Sequence, residues 1–193
     1  MLFRSISAVS AVSTVNDYDC TRGKCCKDDW SRPVPMNEPL PCGASRELSL
    51  VREWLRAQDI QDLERMKRLT SPDCMFYYLD CDSELPAREF WEAMERLYAS
   101  FPDLHFYWKS IQEVSPGVIV VDDLYGAGHH TGKPYAVGPY PEIAASHLHV
   151  KDDPFRFTVL VRNGKISQAK ICGFGKPVGP TGYYSKIGGV LFL

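Results

Sequence analysis

Apolar positions recur along the chain in two periods, first helical and then alternating, and the change from one to the other outlines the fold. Behind Ser45, Leu48, Val51, Trp54 and Leu55 fall at helical spacing, with Arg52, Glu53 and Arg56 on the other side, the stripe of an amphipathic helix. Ser45 is placed to cap it, because a serine hydroxyl accepts an orphan amide of the first turn. Asp59 is read as the cap of a second helix, with Ile60, Leu63 and Leu69 on one stripe, ended by Ser71-Pro72. A third helix follows Pro86, a residue suited to a first turn. Its Phe90, Trp91, Met94, Leu97, Tyr98 and Phe101 make one continuous apolar stripe, the kind that lies on a sheet.

Between the second and third helices, Cys74 to Leu79 reads as a short aromatic strand. After Pro102-Asp103 the period becomes two. Leu104 to Val114 is expected as one long strand, with Leu104, Phe106 and Trp108 facing the helices and His105, Tyr107 and Lys109 facing away. Ser115-Pro116-Gly117 turns the chain into a strand from Val118 that carries Asp122 and Asp123. Phe155 to Val161 and Ile166 to Phe174 flank Asn163-Gly164, the strongest hairpin signal present. The order predicts an α+β fold: three helices packed in a strongly curved, mainly antiparallel sheet. A sheet curled around a long helix leaves a cone-shaped cavity fit for a small apolar ligand.

The flanks read differently. Residues 1–44 form an irregular N-terminal arm in which Pro33, Pro35, Pro39 and Pro41 oppose helix and in which Trp30 and Val34 could pin the arm to the body. Residues 45–176 make the single domain, and the Gly- and Pro-rich tail 177–193, with Tyr183, Tyr184 and Phe192, is expected to fold back over it.

Composition narrows the function. At 193 residues and 45% hydrophobic content the chain fills one core and hardly two. A net charge of −2, with bases and acids interspersed, gives no footprint for nucleic acid. No apolar run is long enough to cross a bilayer, so no membrane partner is expected. The first sixteen residues hold no acid and one arginine, a faint sign of targeting; an ordinary arm on a cytoplasmic protein is the reading taken. Seven cysteines stand at 20, 25, 26, 42, 74, 81 and 172, and the spacing of the first four fits neither a zinc ribbon nor a finger. Reduced thiols and a stapled N-terminal appendage both stand as accounts of them.

Several short runs together carry a resemblance: Ala57-Gln58-Asp59-Ile60-Gln61-Asp62-Leu63, Ser71-Pro72-Asp73-Cys74-Met75-Phe76, Phe101-Pro102-Asp103-Leu104-His105-Phe106, Gly128-His129-His130-Thr131-Gly132 and Arg162-Asn163-Gly164-Lys165-Ile166. In this order, from about Arg46 to Lys176, the chain resembles the SnoaL-like polyketide cyclases of the nuclear-transport-factor-2-like (NTF2-like) superfamily. The resemblance implies a cone-shaped pocket, a small, largely apolar ligand, proton-transfer chemistry of cyclase, isomerase or lyase type without a cofactor, and a homodimer through the outer face of the sheet. Members of that family often place an acid on the strand after the Gly-Lys-Ile turn. Here that strand reads Ser167-Gln168-Ala169-Lys170-Ile171-Cys172, without carboxylate or imidazole, which leaves a non-catalytic ligand-binding or dimerisation domain as the alternative.

Candidate chemistry follows. His130 stands where the family has its histidine and is the expected proton shuttle, although a histidine holding a turn would look the same. Asp122 and Asp123 are the candidate acids; as strand neighbours they point to opposite faces, so at most one enters the cavity, and Arg156 is a ready partner for an outward one. Tyr78, Phe106, Trp108, Tyr125 and Phe157 are the expected substrate-binding residues. His147 and His149 share a side if the segment is extended, yet no further ligand at suitable spacing completes a set, so no metal is expected.

Overall fold

The computed structural model describes residues 44–79 and 82–191. Trp30, Val34, Cys20, Cys25, Cys26, Cys42 and Cys81, with residues 1–43 of the expected N-terminal arm and Phe192 of the tail, lie outside the described residues. Four helices and eight strands follow in the order α1 (Arg46–Asp59), α2 (Leu63–Leu69), β1 (Thr70–Tyr78), β2 (Ser83–Pro86), α3 (Ala87–Ser100), β3 (His105–Tyr107), β4 (Ser110–Ser115), β5 (Val118–His129), β6 (His149–Lys151), β7 (Phe155–Arg162), β8 (Lys165–Cys172) and α4 (Pro180–Lys186). None of these helices is long and apolar enough to cross a membrane.

The Ser45 hydroxyl accepts from Leu48 N at 2.9 Å and caps α1 as its sequence asks. The cap of α2 is Asp62 rather than Asp59: its carboxylate takes Arg65 N at 2.9 Å. Asp59 closes α1 and reaches across to the sheet, accepting Phe106 N at 2.9 Å and lying 3.1 Å from His105 Nδ1. Helix α3 lays Phe90, Met94, Leu97 and Tyr98 on the sheet as one buried face. There the Phe76 ring stacks on Phe90 with centroids 3.7 Å apart, and Trp54 from α1 stacks on Phe157 at 5.5 Å. The Trp54 indole donates to Thr70 Oγ1 at 3.0 Å, so its one polar atom is satisfied inside the core.

The sheet runs β2-β1-β8-β7-β5-β3, with β4 and β6 also paired to β5. The β1–β8 pair is parallel and the rest are antiparallel. Strand β5 is the spine. Its first half pairs with β4 and β7, its second half with β3 and β6. Between Val121 and Leu124 the register against β7 slips, and Asp123 adopts φ 55°, the geometry of a bulge that bends a strand and sharpens its twist. The expected long strand Leu104–Val114 therefore comes as two pieces, since no straight partner follows a bent spine. The predicted facing survives the break: Leu104, Phe106 and Trp108 are buried, while His105 and Lys109 are exposed. The Asn163-Gly164 hairpin forms as read, with φ of 51° and 70° at the two turn residues.

Candidate active site

The curled sheet and α3 enclose a cone, and α4 lies against α3 and β6. It sends Tyr183 inward. The phenol is fully buried, its ring 5.2 Å from that of Phe101. Two glycines permit close approaches here. A Cβ on Gly126 of β5 would stand 2.0 Å from the Tyr183 hydroxyl, and a Cβ on Gly182 would stand 2.2 Å from Asp152 Oδ1. With Tyr183 seated, the cone keeps about 30 Å³, bordered among others by Trp54, Gln58, Phe90, Phe106 and Asp152. That is about the size of one water molecule.

Asp152 is the carboxylate of this cone. It follows β6, its backbone N–H donates to Gly126 O at 2.8 Å, and it is 2% exposed. Gly179 N, at the start of α4, donates to Oδ2 at 2.7 Å, and Asp153 N donates to Oδ1 at 3.0 Å. Burial penalises its charged form and pushes the pKa up to about 7; the two backbone N–H groups and the Lys186 charge pull it partly back. Lys186 itself binds the neighbouring Asp153 at 2.8 Å. Close by are polar atoms with nothing to bond: Gln58 Oε1 and the Tyr183 hydroxyl are buried without a hydrogen-bond partner. Such groups are rare in interiors and invite a functional account. The arrangement brings together an acid near neutrality, an orphan acceptor and an orphan hydroxyl, within walls of aromatic carbon.

A second, open cavity of about 610 Å³ adjoins the cone. Tyr78 and Pro180 border both. Its other walls are Leu85 and Pro86 of β2, the outer face of α3 with Glu89, Ala93 and Arg96, and Val137 from the loop after β5. It is large enough for a drug-sized molecule; Pro180 and Thr181 of α4 line it, while Asp152 lines the cone.

The sequence-nominated residues divide. Phe106 and Phe157 border the cone, and Tyr78 borders both cavities. His130 borders neither. It is fully buried, stacks on Phe101 at 5.0 Å, and its Nδ1 accepts from Ser146 N at 3.2 Å. Its Nε2 is an orphan donor, and burial holds its pKa below the usual histidine value. In this place the ring ties the loop after β5 to α3. Asp122 is bound by Arg156 at 2.7 Å, the outward pairing its sequence neighbours allow. Asp123 sits at the bulge, so strict alternation between the two acids fails there. Neither borders either of the two cavities described above. Trp108 is core, and Tyr125 stacks on Tyr107 at 5.2 Å beneath the Lys151 ammonium, on the other face of β5 from Leu124. His147 has φ 57°, so the segment is not extended there, and His149 pairs across strands with His129 instead.

Three polar residues of the cone are not among those the sequence nominates. Gln58 had a signal: it lies four residues after Trp54, a polar side chain on an apolar stripe. Asp152 and Tyr183 had none that is local, because each is buried by the other's element about thirty residues away.

No family model and no curated protein matches the sequence. Solved structures do match. AclR from Streptomyces galilaeus, described as a hydroxylase, superposes with a TM-score of 0.57 at 18% identity over 74% of this chain and 80% of its own. A protein from Jannaschia described as a SnoaL-like polyketide cyclase gives 0.53 at 11% identity over 72% and 99%. An NTF2-like protein of unknown function from Burkholderia pseudomallei gives 0.52 at 14% over 75% and 99%. This chain has the SnoaL-like, NTF2-like fold. At such identities the likeness establishes architecture, and chemistry has to come from the residues. In this NTF2-like cone the strand β8 brings no acid inward. Asp152, at the end of a different strand, stands in the apolar interior instead.

Proposed function

We propose that the protein is a small-molecule enzyme of cofactor-independent proton-transfer type, cyclase, isomerase or lyase in class, with Asp152 as its acid–base group. The observation that carries this reading is a buried carboxylate near neutrality inside an apolar cone, one wall away from an open cavity of about 610 Å³. A carboxylate with pKa near 7 is present in both forms at neutral pH and abstracts a proton from an acidic C–H more effectively than an ordinary aspartate. A largely apolar ligand, polyketide-like in its mix of rings and carbonyls, enters along Tyr78 and Ala93. It reaches Asp152 when α4 withdraws Tyr183. The Tyr183 and Tyr78 hydroxyls then polarise the ligand carbonyl as the proton leaves. His130 keeps a supporting role, fixing Phe101 and the loop above it.

The test needs no known product. Aryl ketones and β-dicarbonyl compounds are incubated with the full chain in D₂O, and deuterium uptake at the acidic carbon is followed by NMR. Asp152→Asn should keep binding and lower the exchange rate by about 100-fold or more, in the range of general acid–base catalysis. Ala93→Trp, which fills the open cavity, should abolish binding. Exchange by Asp152→Asn at the wild-type rate would remove the proposal.

One observation favours a second reading. Tyr183 already occupies the cone, as expected of a non-catalytic binding or dimerisation domain in which the ligand stops at the open cavity. In that case binding persists, is lost in Ala93→Trp, and no exchange accompanies it. Under either reading we infer a homodimer through the outer face of the sheet, where Tyr107, Tyr125 and Lys151 form an aromatic and cationic row.

A further inference from the structure

At the end of β5, on the edge of the sheet, stands a row of side chains that the reading above leaves unused. His129 on β5 and His149 on β6 are cross-strand partners, and their rings stand 4.7 Å apart, tilted by 50°. Asp103, in the turn before β3, meets His129 from the other side of β5. Its Oδ1 accepts from the His129 backbone N–H and its Oδ2 from His129 Nδ1, both at 2.7 Å. Gly128 allows this approach, since a Cβ there would stand 2.9 Å from Leu104 Cα and 3.1 Å from Asp103 Oδ1.

Donation of Nδ1–H to the carboxylate fixes the ring and its tautomer, and leaves the Nε2 lone pair of His129 pointing away from Asp103. Metal-bound histidines are held in this way, one nitrogen on a carboxylate and the other on the cation. The spacing agrees. An imidazole nitrogen sits about 2.0–2.1 Å from a bound zinc, which puts the ring centre roughly 3.1–3.2 Å away. Two such rings meeting at about 90–110° have centres about 4.4–5.2 Å apart, and the observed separation falls in that interval. The tilt also rules out face-to-face stacking as the reason the rings are close. His129 and Asp103 are each about half exposed at 49%, so a cation can arrive from solvent.

The geometry points to His129 and His149 as a two-histidine chelate for a late first-row divalent cation, with Asp103 as the positioning residue. Imidazole pairs suit zinc, nickel and copper rather than magnesium or calcium. Among the described residues no third histidine, cysteine, aspartate or glutamate joins them, so the remaining coordination positions belong to water or to a donor from another molecule. The affinity is accordingly below that of a four-ligand structural zinc site.

Zinc titration of the full chain by calorimetry tests this, with cobalt spectra to separate histidine from cysteine ligation. Wild type should bind one zinc that His129→Ala and His149→Ala each weaken at least tenfold. Asp103→Asn should weaken it about tenfold, as loss of a carboxylate behind a ligating histidine does. His105→Ala, an exposed histidine of the neighbouring row, should leave it unchanged, and the cobalt form of this equivalent should lack thiolate charge-transfer bands. The proposal is overturned if His129→Ala and His149→Ala bind as wild type does. Equal loss in His105→Ala, or zinc held only in thiolate-coordinated equivalents, overturns it as well; an unchanged affinity in Asp103→Asn removes the positioning role of Asp103.

Discussion

A carboxylate in an apolar wall responds to pH in the opposite sense to one held in an ion pair. Asp152 has a folded-state pKa of about 7 against an ordinary value of 3.8. Between these values the folded protein holds a proton that the unfolded chain has released, so this group's contribution to stability falls as pH rises from about 4 to 7. The interval corresponds to a loss on the order of 4 kcal/mol. In Asp152→Asn that falling component should vanish, so the difference in melting temperature between variant and wild type should shift in the variant's favour from pH 4.5 to pH 7.5. A difference that stays flat across the range would show that the carboxylate titrates as an exposed one. Tyr183 offers a second test at this scale. Its hydroxyl is buried and unpaired, so Tyr183→Phe removes an unsatisfied group at no loss of packing and should leave thermal stability equal or raised. Tyr183→Ala should cost about 3–5 kcal/mol, as other large aromatic truncations do. A phenylalanine variant that melts well below wild type would reveal a hydrogen bond to that hydroxyl.

Helices and strands were largely legible in the sequence because their signals are local. The Ser45 cap, the α3 stripe and the Asn163-Gly164 turn each depend on residues within a few positions of one another. The bend of β5 was not legible. Asp122-Asp123 read as plain alternation, and only the pairing of both edges of β5 with different strands shows why Asp123 takes a positive φ. The misread cap has a similar cause: Asp59 and Asp62 both stand shortly before Leu63, and the carboxylate of Asp59 is claimed by Phe106 from another element. Helix α4 belongs to the same class. Its seat depends on Gly182, where a side chain would meet Asp152 Oδ1 at 2.2 Å and the Pro177 carbonyl at 2.8 Å. Because the second of these is backbone, Gly182→Ala should displace α4 rather than be absorbed. Faster hydrogen–deuterium exchange across residues 179–187, with β7 and β8 unchanged, is the expected result; protection equal to wild type would show that the helix is held independently of this contact.

At the scale of the whole molecule, the candidate site was harder to read than the architecture. The resemblance led to the right cone, and Tyr78, Phe106 and Phe157 do border its cavities. It also drew attention to His130 and to Asp122, which lie in the core and in an ion pair respectively. The acid of the cone is set by tertiary burial, and no window around Lys151-Asp152-Asp153 distinguishes it from a solvated turn. The homodimer inferred above would use the other side of the sheet. Placing a charge in the Tyr107–Tyr125 stack by Tyr125→Glu should convert a dimer to a monomer in sedimentation velocity, whereas a wild-type chain that already sediments as a monomer would rule out the inferred interface. The central claim, that an acid near neutrality stands inside the cone, is tested most directly by carbon-13 NMR titration of the Asp152 carboxyl in the full chain. The account predicts a midpoint near 7; a midpoint near 4 would contradict it.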